Sequence, residues 1–322
     1  MQELADSNGL IGDRDALAGR LAKDGYLFFR GLLPPATVRS AGVAILDQLR
    51  AGGWSPGPGG PGAATVREAL ADPAFRAAIT SPGLNQIPYL PPLRGLVQQL
   101  LGPQAFSYPA KVLRAVHPET QGASGGLRWR RPGRALGRPL GRPLGRYVHY
   151  DYAVSGVQDM LTSWVPLMDV PVRLGGLAVR PGGHLAAPVP PQVLSQREPG
   201  WATTGYHPGD VIVFHCLTPH AALPNTGTAL RLSADFRWQR ADQAAPAELV
   251  LGPTGRPRWA GTDAPPELFS RLFGGEPWWE PVPAGLTLRP RAELAAVPPG
   301  PSRYFRVHRG WQLWRLPPGA VH

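Results

Sequence analysis

A mainly β domain with flanking helices is the fold class this sequence predicts, and three stretches predict it. Val148 to Tyr152, within Tyr147-Val148-His149-Tyr150-Asp151, reads as a short strand. Gly209-Asp210 is a turn signal, and Val211 to Phe214 behind it is the β-branched and aromatic run of a buried strand. Beyond Thr228, residues Leu230, Leu232, Ala234, Phe236 and Trp238 share one face while Arg231, Ser233, Asp235 and Arg237 share the other, which is the period of two of a strand.

The remaining elements follow in chain order. Asp13 or Asp15 is placed to cap a helix through Leu17 and Leu21, and Gly25 to Gly31 reads as a strand. Pro34-Pro35 opens a second helix carrying Val38, Val43, Ile45, Leu46 and Leu49, which Gly52-Gly53 closes. Ser55 to Ala64 is a Gly- and Pro-rich loop. Helical patterns return over Thr65 to Ile79 and Leu93 to Leu101, followed by a strand over Phe106 to His117. Gln158 to Met168 and Gly176 to Arg180 are further strands, and Gln192 to His207 is a long connection.

On a strand, His149 and Asp151 lie two residues apart and project from the same side, giving two of the three ligands of a metal site. The third must arrive from far away in sequence, and by composition His184, His207, His215 and His220 all compete. His220 follows Leu217-Thr218-Pro219, where the chain breaks out of a strand. Two histidines and one carboxylate leave three positions open on a metal, the arrangement used by non-haem Fe(II) oxygenases. Arg231, on the polar face of its strand, can point into a barrel lumen, where its planar fork of donors would grip a carboxylate.

Together these residues resemble the phytanoyl-CoA dioxygenase family. The resemblance is carried by His149-x-Asp151, Gly175-Gly176-Leu177-Ala178-Val179-Arg180-Pro181-Gly182-Gly183-His184, Gly209 to Phe214, His220 with Pro224-Asn225 behind it, and Arg231, over roughly residues 12 to 240. It implies a double-stranded β-helix, a jelly-roll barrel, and an Fe(II)- and 2-oxoglutarate-dependent dioxygenase that consumes O2 and releases succinate and CO2. By the same resemblance His149, Asp151 and His220 are the catalytic iron ligands, the spacing to Arg231 selecting His220. Arg231 would bind the distal carboxylate of 2-oxoglutarate, with Ser233 and the upstream Lys111 as further cofactor contacts and Arg114 an additional basic candidate. Thr162, Trp164 and Arg146 are the substrate-side candidates. Asp151 stands where related halogenases carry a small residue, which implies hydroxylation or another oxidation such as desaturation or ring closure. Two features depart from the family pattern: Pro181-Gly182-Gly183-His184 replaces Pro-Gly-Ser-His, and an arginine-rich insert precedes His149.

The chain has 322 residues, net charge +11, 40 Gly, 40 Pro and one cysteine, Cys216, which excludes an intrachain disulfide. Only Lys23 and Lys111 are lysines, so 33 minus 2 leaves 31 arginines, a bias that points to a GC-rich coding sequence. Seven arginines lie between Arg128 and Arg146, so a basic patch needs explaining more than a basic protein does. Within 121–146 the repeat Leu-Gly-Arg-Pro forbids helix or central strand, and a lid attracting an anionic substrate is weighed against an insertion with no binding role. A single Trp129 among these arginines argues against nucleic acid. No stretch of about 18 apolar residues marks a membrane span, so a soluble cytoplasmic protein is expected.

Residues 1–245 are expected to form the oxygenase domain and 246–322 a Pro- and Trp-rich extension packed on the barrel, with a strand over Phe305 to Leu316. The expected substrate is a small molecule, an intermediate of specialised-metabolite biosynthesis; oligomeric state cannot be read. Two other classes compete. One is a jelly-roll that binds without catalysing. The other is a metal-dependent hydrolase on the same ligands, which has no need of Arg231.

Overall fold

The computed structural model describes residues 1–54, 72–118, 147–190, 192–251, 282–283, 285–297, 299–300 and 302–307. The loop expected over Ser55 to Ala64, the insert with Arg146, and Trp259, Trp278, Trp279, Trp311 and Trp314 lie outside them.

Among the described residues, ten strands build the two main sheets: β1 Gln2–Glu3, β2 Tyr26–Phe29, β3 Ala105–Ser107, β4 Val112–Val116, β5 Leu161–Pro166, β6 Leu177–Val179, β7 Ala202–Thr203, β8 Val211–His215, β9 His220–Ala222 and β10 Arg231–Arg240. The larger sheet runs β2-β8-β5-β10-β3, with β4 also on β10, and the smaller runs β1-β7-β6-β9. Alternation along the larger sheet decides what each face meets. Leu27, Phe29, Leu161, Val165, Val213, Leu232, Ala234, Phe236 and Trp238 turn outward into one apolar core with the helices. Tyr26, Phe28, Trp164, Ile212 and Phe214 turn inward against Leu177, Val179 and Ala202 of the smaller sheet. The two sheets therefore pack face to face as a jelly roll, the fold class read from the alternation and the resemblance.

Helices α1 Arg14–Asp24, α2 Pro35–Ala51, α3 Pro73–Ile79, α4 Pro82–Asn85 and α5 Pro91–Leu101 contribute to that outer core. The carboxylate of Asp13 caps α1 by accepting from the Ala16 amide at 2.9 Å, and Gly25 ends it. Leu17, Leu21, Val38, Ile45, Leu49, Leu93 and Val97 are fully buried, and truncating any one of them to alanine would cost roughly 2–5 kcal/mol. Val43, expected on the apolar face of α2, is half exposed. Further along lie α6 Asp151–Ser155, β11 Ala245–Pro246, α7 Ala247–Val250, β12 Leu288–Arg289 and α8 Arg291–Ala296. The Tyr152 hydroxyl donates to the Val297 carbonyl at 2.6 Å, the Gln158 amide bonds both backbone polar groups of Gly300, and Asp159 accepts from the Ser302 hydroxyl.

Two expected strands differ. Phe106 to His117 is not continuous: Pro109, which has no amide to donate, separates β3 from β4, and both pair with β10, at Trp238↔Ser107 and Asp235↔Val112. Residues 305–307 form no strand, and the rest of the stretch expected to Leu316 lies outside the described residues.

The bend at Pro109 carries Lys111 inside. Its Nζ donates to Ser107 Oγ at 2.7 Å and to the Tyr108 carbonyl, and lies 5.3 Å from the centre of the Tyr89 ring. Burial pulls its pKa down to about 7. Below that pH the folded protein bears the full cost of a buried ammonium. Between about 7 and the ordinary value of 10.5 the unfolded chain holds a proton that the folded one has released, so this group makes stability rise with pH across that window. Lys111→Met should lack the rise. Comparing urea unfolding of both proteins at pH 6.5 and 10 should give a difference of up to about 4 kcal/mol, from the roughly three pH units between about 7 and 10 at about 1.4 kcal/mol each.

Candidate metal centre

The backbone of Tyr147 to His149 is held between two neighbours by isolated bridges, Tyr147↔Val193 and His149↔His220. His149 donates its amide to the His220 carbonyl at 3.0 Å and accepts from the His220 amide at 3.2 Å. Residues that exchange both bonds are direct cross-strand neighbours, so their imidazoles lie side by side with ring centres 4.1 Å apart. Each ring is oriented by its own chain: Nδ1 of His149 meets the Tyr147 carbonyl and Nδ1 of His220 the Thr218 carbonyl, both at 2.9 Å. A carbonyl only accepts, so both Nδ1 atoms carry the proton and both Nε2 atoms present a lone pair. Burial, and then the neighbouring His220, pushes the pKa of His149 down to about 3; burial also lowers His220. Neutral imidazole is the metal-binding form.

Asp151 joins them by a route the sequence reading did not anticipate. The chain does not remain a strand to Tyr152. Tyr150 is extended, Asp151 opens α6, and the Tyr152 amide turns to the Cys216 carbonyl at 3.0 Å. Gly156 closes the turn with φ of 69°, where a Cβ would stand 2.6 Å from the Ala295 amide nitrogen. The turn, rather than strand alternation, swings the carboxylate back, and the ligand atoms of His149, Asp151 and His220 lie within 4.8 Å of one another. Asp151 Oδ1 faces His220 Nε2 at 3.9 Å and accepts from Arg237 Nη2 at 3.1 Å, while Oδ2 accepts from the Thr162 hydroxyl and from Arg237 Nε at 3.4 Å. Burial raises the carboxyl pKa, but the Arg237 guanidinium and then the two histidines outweigh it and keep Asp151 ionised, well below the usual range. Two imidazole nitrogens and one carboxylate oxygen, with Asp151 and His220 buried and His149 half-buried, suit a divalent transition metal.

The inner face of β10 is polar from end to end, and most of it is already partnered. Asp235 Oδ2 accepts from Arg114 Nε and Nη2 at 2.7 and 2.6 Å, Arg237 holds Asp151, and Gln239 accepts from the Tyr108 hydroxyl. Arg231 is the exception. It is completely buried, Nη1 donates to Ser233 Oγ at 3.3 Å, and Nε and Nη2 have no hydrogen-bond partner among the described residues. Burial, and then the charge of Arg114, lowers its pKa to about 10, so it stays cationic. A cavity against the two histidines is lined by Arg114, His149, Trp164, Phe214, His220 and Asp235, among others, and Arg231 is not one of its lining residues. Arg114 Nη1 and Trp164 Nε1 are buried there without partners among the described residues. Unpaired buried donors with no matching acceptors suit an anionic ligand.

Of the other sequence-derived candidates, Ser233 lies against Arg231 and Trp164 lines the cavity. Thr162 also points inward, but its hydroxyl is engaged by Asp151. Lys111 is not among the lining residues, and Arg146 lies outside the described ones. The competing histidines have other partners: His184 is buried against the Ala22 carbonyl, with burial lowering its pKa to about 4; His207 is exposed and meets Asp169; His215 meets Asp159 at 3.4 Å. Gly183, where the family pattern has serine, abuts Pro219, and a Cβ there would lie 2.6 Å from Pro219 Cγ. The sequence reading missed the part played by Arg237. Its place on the polar face of β10 was visible, its carboxylate partner was not.

Residues 21–233 match the phytanoyl-CoA dioxygenase (PhyH) family. The 1-deoxypentalenic acid 11-beta-hydroxylase of Streptomyces exfoliatus is 26% identical over 302 residues, 85% of this chain and 96% of that protein. The enzyme of the same name from Streptomyces arenae is 24% identical over 301 residues, 84% of this chain and 96% of that protein. Among solved structures, the apo form of the non-haem monooxygenase ThoJ shares 20% identity at a TM-score of 0.47, covering 70% of this chain and 78% of that one. With a match over two-thirds of its length, the chain belongs to the phytanoyl-CoA dioxygenase family of Fe(II)- and 2-oxoglutarate-dependent oxygenases.

Proposed function

We propose that His149, Asp151 and His220 hold Fe(II), that Arg231 holds the distal carboxylate of 2-oxoglutarate, and that the substrate oxidised beside them is an anionic small molecule. One observation carries the reading: a completely buried guanidinium, two of whose N–H groups are unpaired among the described residues, stands on the polar face of β10, the face whose Arg237 also holds the carboxylate of the His149, Asp151 and His220 group. A hydrolase on the same ligands would leave that cation without a use. Bound there, Fe(II) would supply O2 activation coupled to oxidative decarboxylation of 2-oxoglutarate to succinate and CO2.

The chain's own residues do the rest. The Nδ1 contacts of both histidines leave Nε2 free to hold the metal, and His149, Asp151 and His220 would supply three ligands to it, so that cosubstrate and O2 could take the remaining positions. Arg231 fixes one end of the cosubstrate, and Ser233, Arg114 Nη1 and Trp164 Nε1 are further donors within the same inner wall. Leu177, Phe214 and Ala222 make the remaining lining apolar, which keeps water from competing at the reacting centre. The relatives are hydroxylases acting on a compound named as an acid. That supports hydroxylation of a carboxylic acid from a specialised-metabolite pathway as the reaction.

Anaerobic titration of the apoprotein with Fe(II) and 2-oxoglutarate tests the reading. A weak visible charge-transfer band is expected for the wild type, with weaker 2-oxoglutarate binding in Arg231→Ala. Metal binding without any band would overturn it.

A further inference from the structure

We infer that Thr162 and Arg237 are positioning residues that restrict Asp151 to a single metal-facing oxygen, Oδ1, and so keep open a coordination position that a chelating carboxylate would occupy. The inference rests on the reading that Asp151 is a metal ligand and deepens it.

The two oxygens of Asp151 are used unequally. Each carboxylate oxygen offers two lone pairs. Those of Oδ2 are taken by the Thr162 hydroxyl and by Arg237 Nε at 3.4 Å. Among the described residues Oδ1 accepts only from Arg237 Nη2, at 3.1 Å, and keeps one lone pair on the side facing His220. A metal between the imidazoles therefore meets one available oxygen, and taking both would require displacing a hydrogen bond. Left alone, the carboxylate would not hold this setting, because its terminal torsion is broad and roughly two-fold.

The restraint comes from the most firmly built part of the fold. Thr162 on β5 and Arg237 on β10 are direct register partners across the middle of the larger sheet. Thr162 is 1% and Arg237 7% exposed. Asp151 itself begins a short helix outside both sheets. The sheet thus lends its rigidity to a ligand that its own element does not hold still. The two side chains act differently on it: the hydroxyl is specific to Oδ2, whereas the guanidinium spans both oxygens and keeps the group charged.

Mn(II) alone, followed by water-proton relaxation, reads how many positions on the ion carry water. A facial set of three protein ligands leaves three of six positions to water, so a chelating carboxylate would lower the bound-ion relaxivity by about one third. Thr162→Val is expected to show that fall, and Thr162→Ser, which restores the hydroxyl, to return to the wild-type value. Arg237→Lys, which keeps the charge but loses the fork, is expected to bind Mn(II) about 10–100-fold more weakly. Unchanged relaxivity in Thr162→Val, or an affinity of Arg237→Lys within about twofold of wild type, would overturn the inference while leaving the metal assignment standing. If His149→Ala binds Mn(II) as tightly as wild type, the metal assignment itself fails.

Discussion

Asp151→Ala is expected to abolish 2-oxoglutarate turnover and, in the metal-free protein, to cost about 3–5 kcal/mol of stability, the usual cost of breaking a buried ion pair from one side. The second effect follows from Arg237, which is 7% exposed and whose guanidinium is held by the Asp151 carboxylate. With the carboxylate gone, a desolvated cation faces an alanine. Urea denaturation of four proteins separates the two effects: wild type, Asp151→Ala, Arg237→Met and the double variant. The double variant should recover much of the lost stability, since neither charge is then stranded, yet remain unable to turn over 2-oxoglutarate. A destabilisation in Asp151→Ala that Arg237→Met leaves untouched would mean that the pair is not what holds this region together.

Arg231→Met should behave in the opposite way. This arginine is desolvated with two of its donors unpaired, and no carboxylate is bonded to it. An apolar side chain of similar length removes that cost, so the metal-free variant should be more stable than wild type by on the order of 1–3 kcal/mol. On the proposed role of Arg231, the same substitution would also remove two charge-assisted bonds to the cosubstrate carboxylate, each roughly 1.5–3 kcal/mol, and the KM for 2-oxoglutarate is expected to rise by on the order of 10²–10⁴-fold. Thermal melts and saturation kinetics on one preparation test both signs. A variant that loses both stability and cosubstrate affinity would show that Arg231 is part of the scaffold rather than a stored binding group. The two substitutions together distinguish a charge the fold has neutralised from one it has left in waiting.

The alternation of Leu230 to Trp238 against Arg231 to Arg237 was legible because a strand converts period directly into facing, and β10 does face as read. His149-x-Asp151 was legible as a spacing but not as a geometry. Whether the chain continues as a strand after Tyr150 is decided by a hydrogen bond to Cys216, far away in sequence. The break between β3 and β4 could have been found, since Pro109 marks it. The partners of Lys111 and Arg237 could not: nothing in a linear chain says that one ammonium will be enclosed by a bend and that one guanidinium will meet a carboxylate carried by a different element. Motifs report which chemistry is present, while pairing across elements reports what each group is free to do.

The bridge between His149 and His220 joins positions about 70 residues apart in the sequence. On the proposed ligand set, an unfolded chain must first close that ring before both imidazoles can meet one ion, so metal binding favours the native state and would add up to about 2.7 kcal/mol to folding stability when free metal stands at 100 times its dissociation constant. Starvation for iron would then do more than idle the enzyme. It would enlarge the unfolded fraction open to proteases, and cellular abundance would follow metal supply.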